Sequence, residues 1–429
     1  MADDPQLNVQ GLAEAFAQAG KDVNAEAVRD SSKLLELASQ APVVRLVDVV
    51  LQEAVGRRAS DIHVEAFEHS VAIRYRIDGR CYQVAQPPTS LALAIASRIK
   101  VLSNLDVAES RLPQDGRMLL AAQQAGGRQI DLRVSTLPTI HGESIVLRVL
   151  DRGSLDKTLA QLGMDDATQG AIEQIIQQPH GMLLVTGPTG AGKTTTLYAC
   201  LSKLNRPEVK LITTEDPVEY DINGLVQVPI NPKIHLTFAT SLRAILRHDP
   251  DVIMVGEIRD LETAQTAVQA ALTGHMVFST LHTNDAPGAV TRLLDMGVEP
   301  FLVTSTVSGI LAQRLVRALC AQCRAPHDPT PEEMAALHLE AGQLAAPLMK
   351  PAGCDACQGI GYKGRTGLYE LLNVTEALRP MIIARASVSD LRAAARAAGM
   401  RSLREDGIAK VLAGVTTVEE MIRETQDYA

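Results

Sequence analysis

The chain contains no tryptophan, and aromatic residues make up only 3% of its 429 residues. Its cores must therefore be built from Leu, Ile, Val, Met and Ala. Nowhere do 18 apolar residues run together, so no membrane span is predicted, and any membrane link must go through a partner or a surface contact. The start, Met1-Ala2-Asp3-Asp4-Pro5, lacks the positive segment and apolar core of a secretory signal. Positive charge is in the minority: the formal net charge is −9, which argues against a nucleic-acid partner held over a broad basic surface and leaves only a local basic channel. Internal repeats and low-complexity tracts are missing as well. Cysteine is scarce and unevenly placed. Cys320, Cys323, Cys354 and Cys357 form two C-x-x-C pairs, whereas Cys81 and Cys200 stand alone and are expected to be small core residues. With no export signal the cytosol is the expected compartment, where paired cysteines more often bind metal than form disulfides.

What the chain does have is Gly187-Pro188-Thr189-Gly190-Ala191-Gly192-Lys193-Thr194, a full match to G-x-x-x-x-G-K-[ST]. An apolar run of strand length, Met182 to Thr186, precedes it, and Thr195 to Leu201 can continue as a helix. Glycines let backbone N–H groups curl around phosphate oxygens, and the helix N-terminus adds partial positive charge. Lys193 can then reach the β- and γ-phosphates, and Thr194 can offer its hydroxyl to Mg²⁺. The plainer alternative is a glycine-rich turn before an ordinary helix.

The rest of the chain is organised around this loop. Residues 1–40 read as a weakly ordered lead-in. Residues 41–152 read as an α+β domain. A helical apolar stripe runs from Pro42 to Val55, followed by alternating strands near 61–65 and 71–77, an Asp78-Gly79 hairpin turn, a helix at about 91–102, and a second strand group at 117–120, 130–137 and 144–150 around a loop with Gly126-Gly127. A hinge over 151–162, with 153–162 as the linker, leads to 163–429. There the apolar strands 182–186, 211–214, 252–255 and 276–281 alternate with helices, which predicts a parallel sheet covered on both faces. A cysteine-bearing insertion spans 319–361, and 375–429 reads as mostly helical, with Thr417 and Glu420 as a capping-box signal for the last helix.

Ligands in open parallel sheets sit at strand ends. Asp251 to Val255 is an apolar strand that ends at Gly256-Glu257, so Glu257 is the candidate for orienting or deprotonating attacking water; the alternative is a surface acid paired with Arg259. Glu215, Asp216 and Glu219 follow another strand and are candidates to hold the Mg²⁺ water shell, against a solvated acidic loop. His282 follows a third and could bond a γ-phosphate, although a lone histidine is more often structural.

In the insertion, each C-x-x-C can give two thiolates to one tetrahedral ion, and the two pairs complete a closed Cys₄ zinc site of structural kind; a redox pair is the rival. The 30 residues between the pairs need structure. Thr330, Pro331 and Glu333 signal a helix start, so 330–349 can supply a helical segment.

Four stretches in this order resemble the type II secretion and type IV pilus assembly ATPases: Gly187 to Thr195, Glu215-Asp216-Pro217-Val218-Glu219, Val255-Gly256-Glu257-Ile258-Arg259-Asp260, and Ser279-Thr280-Leu281-His282-Thr283-Asn284. The resemblance covers about residues 40 to 429, and 289–302 looks nearer the secretion branch. It implies a PAS-like domain over 41–152 and a RecA-like motor over 163–429, with ATP bound between them in a homohexamer. It implies Glu257 as catalytic glutamate, Glu215 and Glu219 as an acidic box, and His282 with His275 as a histidine box. Ser60 to Glu65, Arg111 to Arg117 and Asp131 to Pro138 also match, with Ala66 where proline is frequent. Arg117, Arg133 and Arg148 match arginines that approach the phosphates when the domains close, where guanidinium groups would offset γ-phosphoryl charge; otherwise they are solvent-facing strand residues in weak surface pairs. The tetracysteine element occurs in many such ATPases.

The expected protein is thus a cytoplasmic ATPase at the inner membrane. ATP, Mg²⁺ and Zn²⁺ are its expected cofactors, and a membrane-embedded platform protein and a cytoplasmic docking protein its expected partners. Only about 40 residues precede the PAS-like part, where relatives usually carry a longer docking domain. The rivals are type IV pilus assembly, a DNA-translocating motor, a non-catalytic ATP-binding scaffold and, more remotely, a small-molecule kinase.

Overall fold

The computed structural model describes residues 31–122, 128–150, 157–340, 344 and 346–425. The expected lead-in up to residue 30, the Gly126-Gly127 loop and residues 151–156 of the expected hinge lie outside these. The chain divides into two compact units, residues 1–154 and 155–429.

In the first unit, Pro42 sits in the first turn of helix Ala41–Gly56, whose stripe Val43, Leu46, Val47, Val50 and Leu51 is buried. Six strands follow: β1 Asp61–Ala66, β2 Val71–Ile77, β3 Arg80–Ala85, β4 Gln114–Ala122, β5 Arg128–Thr139 and β6 Gly142–Leu150. They form an antiparallel sheet in the order β3-β2-β1-β6-β5-β4. Asp78 and Gly79 take positive φ values of 48° and 90° in the β2–β3 turn, as an Asp-Gly hairpin requires. Period-two alternation gives the sheet two unlike faces. Tyr75, Ile62, Leu147 and Val134 are cross-strand neighbours on the buried face, where the Tyr75 hydroxyl donates to Val50 O at 2.8 Å. Cys81 is exposed, contrary to the core position expected for it. In β3 it is Tyr82 and Val84 that turn inward, so their odd-numbered neighbour turns out.

The second unit is built on seven strands: β7 Gly181–Thr186, β8 Leu211–Glu215, β9 Leu225–Pro229, β10 Val252–Val255, β11 Met276–Leu281, β12 Val307–Leu319 and β15 Tyr362–Asn373. Their order is β15-β12-β7-β11-β10-β8-β9; every neighbour pair is parallel except β12 and β15. Alternate residues feed two cores. Ile253, Val255, Val277 and Ile310 enter one, and Met254, Leu183, Phe278 and Leu311 the other. Cys200 lies fully buried in the second core, and burial pushes its thiol up to about 12.

The insertion leaves the sheet after β12 and returns at β15. It contains the short pair β13 Ala325–His327 and β14 Leu348–Lys350. Thr330 and Glu333 form the expected capping box, but the helix is only Pro331–Ala336, shorter than the 330–349 reading. Leu337 turns into a small core and His338 takes φ +56°, which ends the helix. At the last helix, Val418–Thr425, the Thr417 hydroxyl does accept from Glu420 N at 3.4 Å. The Glu420 carboxylate, expected to close the capping box, is engaged instead by Arg317 and Arg423. No helix among the described residues is long and apolar enough to cross a membrane.

Candidate nucleotide-binding and metal sites

β7 is buried along its whole length and delivers the glycine-rich loop at its end. Gly187, Gly190 and Gly192 have φ of +148°, +82° and +86°, and helix Lys193–Leu204 starts immediately after. The crest Pro188-Thr189-Gly190 is exposed, Ala191 is buried, and Thr194 and Thr195 are half-buried in the first helical turn. Lys193 folds back over the loop, donating from Nζ to Gly187 O at 2.7 Å and Pro188 O at 3.1 Å. Burial lowers the pKa of its ammonium to about 8, with Glu257 opposing the shift and Arg314 adding to it.

Two neighbouring strand ends bring in the other groups. Glu257, 9% exposed, follows β10. Its Oε2 lies 2.6 Å from Arg259 Nε and 3.3 Å from His282 Nε2. His282 follows β11, and its loop is fixed because Thr283 N donates to Thr186 Oγ1 at 2.9 Å. Burial, with the Lys193 charge second, lowers the His282 pKa, so the imidazole favours its neutral form. Lys193, Glu257 and His282 therefore meet at the adjacent ends of β7, β11 and β10. His275 is at the opposite end of β11, its Nδ1 2.8 Å from Ala270 O.

Glu215 is placed differently from a solvated Mg²⁺-shell group. It is 3% exposed at the end of β8, and its carboxylate accepts from the Tyr198 hydroxyl, Thr213 Oγ1 at 2.5 Å and Gln227 Nε2 at 3.0 Å. It braces the helix after the glycine-rich loop against β8 and β9. Asp216 is exposed and Glu219 half-buried.

Arg314 has no counterpart in the sequence reading. It is buried on β12, donates to Asn284 Oδ1 at 3.2 Å, and its charge reaches Lys193. The available signal was the apolar run Ile310-Leu311-Ala312 just before it, although the strand continues past Arg314 to Leu319.

Arg117, Arg133 and Arg148 belong to the first unit. They occupy β4, β5 and β6 in direct lateral register, Arg117 opposite Arg133 and Arg133 opposite Arg148. The row continues through Asp61 on β1 to Arg76 on β2. Asp131 accepts from Arg117 Nε at 2.7 Å, and Asp61 from Arg148 Nε at 3.3 Å. The side chains of Arg117 and Arg148 remain 63% and 62% exposed.

The four insertion cysteines come together with all four Sγ atoms within 4.8 Å of one another. Cys320 and Cys354 are 3.9 Å apart, Cys323 and Cys357 3.7 Å, and Cys354 and Cys357 3.8 Å. A tetrahedron of Zn–S bonds of about 2.3 Å has S···S edges of about 3.8 Å, so the donor set fits zinc. Burial opposes ionisation of Cys357, but N–H donation from Cys354 and Gly361, each 3.2 Å from Sγ, brings its thiol down to about 7.

A family model described as "Type II/IV secretion system protein" matches residues 36–423. Type II secretion system protein E of Dickeya dadantii is 50% identical over 413 residues, which is 95% of this chain and 81% of the relative. Type II secretion system ATPase E of Vibrio cholerae is 49% identical over 405 residues, 94% and 79% of the two chains. The crystal structure of the pilus retraction motor PilT with bound ADP superimposes with a TM-score of 0.58 at 26% identity, covering 89% of this chain and 97% of that one. The ATPase DotB of Legionella pneumophila shares the fold, with a TM-score of 0.65 at 21% identity, covering 89% and 95%.

Proposed function

We propose, on the premise that this chain belongs to the type II/IV secretion system protein family, that Gly187 to Thr195 bind ATP and that Glu257 directs its hydrolysis. The chain is a type II secretion ATPase: relatives about half identical over most of its length carry that name, including an ATPase E. The observation that supports the residue roles is the meeting of Lys193, Glu257 and His282 at adjacent strand ends of one sheet.

Loop N–H groups and Lys193 bind the β- and γ-phosphates, and the Lys193 ammonium exchanges its two loop carbonyls for phosphate oxygens. Thr194 at the helix start holds Mg²⁺, which supplies charge neutralisation at the phosphates when bound. Glu257 orients the attacking water and takes its proton. Its partners Arg259 and His282 then turn their donors toward the phosphate, and the neutral imidazole bonds there without adding further positive charge beside Lys193. Glu215 and Glu219 form the acidic side, with Glu215 acting through the brace it makes to Tyr198. Arg117, Arg133 and Arg148 of the PAS-like first unit are the guanidinium groups available to offset γ-phosphoryl charge. Cys320, Cys323, Cys354 and Cys357 would hold a Zn²⁺ of structural kind, four thiolates filling a tetrahedral donor set.

The working form is a homohexamer at the cytoplasmic face of the inner membrane, joined to it through a platform protein and a docking protein. PilT is structurally similar, which keeps type IV pilus assembly as the second reading. The level of identity to secretion proteins favours the first. ATP turnover per chain, measured against protein concentration, tests the proposal. A rate per chain that climbs with concentration and vanishes in Glu257→Gln supports a site completed by assembly. A concentration-independent rate, or full activity in Glu257→Gln, would overturn it.

A further inference from the structure

A loop that turns its N–H groups toward phosphate must turn its carbonyls elsewhere, and each buried carbonyl needs a donor. Lys193 serves Gly187 and Pro188. The carbonyl of Ala191 is served from another strand: Gln313 Nε2 donates to it at 2.7 Å. The same side chain accepts at Oε1 from Thr196 Oγ1 at 2.7 Å, in the helix that follows the loop. Gln313 is 2% exposed on β12, next to Ala312, which pairs with Thr186 at the end of β7. Its amide thus spans the loop and the helix start, both ends satisfied, away from water.

The glycine pattern gives a second, independent observation. A Cβ on Gly187 would lie 2.5 Å from Gln313 O, and a Cβ on Gly192 would lie 2.9 Å from Gln313 Nε2. Two of the three loop glycines are therefore bare where Gln313 presses against them. Loop and β12 are shaped to each other. A change in the pose of Gln313 would rotate the Ala191–Gly192 peptide and move the N–H groups that follow.

We infer that Gln313 is a positioning residue for nucleotide binding: it sets the orientation of the phosphate loop without touching the nucleotide. This rests on the reading of Gly187 to Thr195 as that loop. Gln313→Glu keeps the shape and the acceptor for Thr196 but, ionised, cannot donate to Ala191. Thr196→Val removes the hydroxyl that holds the amide in place.

The test is equilibrium binding of Mg·ADP to the full chain at about pH 8, with Tm measured without nucleotide and Lys193→Ala as reference. The expected result is an ADP Kd raised about tenfold or more in Gln313→Glu and several-fold in Thr196→Val. The rise in Kd should exceed anything the Tm change tracks across the two variants. A packing role alone would lower Tm and leave the Kd of folded protein unchanged, which would overturn the inference. Unchanged Kd in Thr196→Val would also overturn it, even if Gln313→Glu failed to fold. If Lys193→Ala itself binds ADP normally, it is the phosphate-loop reading that fails. A Lys193→Ala that loses ADP while Gln313→Glu retains it isolates the failure to Gln313.

Discussion

At the residue scale the pivotal group is Lys193, because burial has already brought its pKa down to about 8. A phosphate beside it favours the charged form and raises that value again. Below about pH 8 the ammonium is present before binding, so affinity is flat. Above it, binding must take up a proton, and affinity falls toward about tenfold per pH unit. Calorimetry of ADP binding at about pH 9 in buffers of different ionisation heat should show uptake approaching one proton; a pH-independent Kd with no uptake would mean that Lys193 does not meet phosphate. The loop glycines, Lys193 and Glu257 were open to a sequence reading because a contiguous motif carries the first two behind the apolar strand β7 and one residue separates the last from the apolar strand β10. The brace around Glu215 was not. Its donors Tyr198, Thr213 and Gln227 come from a helix and two strands, and only the fold brings them to one carboxylate. Cys81 failed for a related reason: one residue of strand phase separates core from solvent, and a short edge strand states its phase weakly.

At the element scale, the expected strands 182–186, 211–214, 252–255 and 276–281 cover four of the sheet's seven, and β12, with β9 and β15, is not among them. Its mixed run, with Gln313, Arg314 and Arg317 among apolar residues, breaks the continuous apolar pattern that marked β7, β10 and β11. Those polar residues are buried because each has a long-range partner. Arg317 donates from its guanidinium to Glu420 Oε1 at 2.7 Å, its backbone N–H donates to Glu420 Oε2 at 3.1 Å, and its guanidinium stacks 3.8 Å from the Tyr362 ring. Glu420, 0% exposed, also takes two bonds from Arg423. This contact ties the last helix to the strands flanking the cysteine insertion, which explains why Glu420 gave up the capping role its spacing suggested. Burial by itself raises the Glu420 pKa, but Arg317 outweighs it and the net shift is downward, so the pair is charged at neutral pH. Removing one partner of such a pair strands the other. Glu420→Ala should cost about 3–5 kcal/mol, while the double change Arg317→Met with Glu420→Leu should recover most of it. Denaturant unfolding of the two variants beside the parent chain measures this; a Glu420→Ala loss within about 0.5 kcal/mol, the usual range for surface changes, would place the contact among ordinary surface pairs.

At the scale of the whole molecule, the charge is unevenly spent. The chain carries a net −9, yet one face of the first unit's sheet sets Arg76, Arg148, Arg133 and Arg117 in a single row with Asp61 among them. Four strand spacings of about 4.8 Å make that row about 19 Å long. The alternation of each strand was readable locally, but the lateral register that aligns the arginines is set by the pairing of β4, β5 and β6 across tens of residues. Asp131 holds Arg117 at one end of the row, and Asp61 holds Arg148 at its middle. If the row serves the γ-phosphoryl group, its worth appears in turnover rather than in binding of a nucleotide that lacks that group. Arg133→Ala should then lower kcat by about 10²–10³, the effect of deleting one donor to developing transition-state charge, and change the ADP Kd by less than about threefold. Arg45→Ala is the control, since Arg45 is exposed on helix Ala41–Gly56 and outside the row. An Arg133→Ala enzyme that turns over like the control would reduce the row to solvent-facing surface pairs. One that loses ADP affinity as steeply as kcat would assign it to ground-state binding, with the γ-phosphate given no special part.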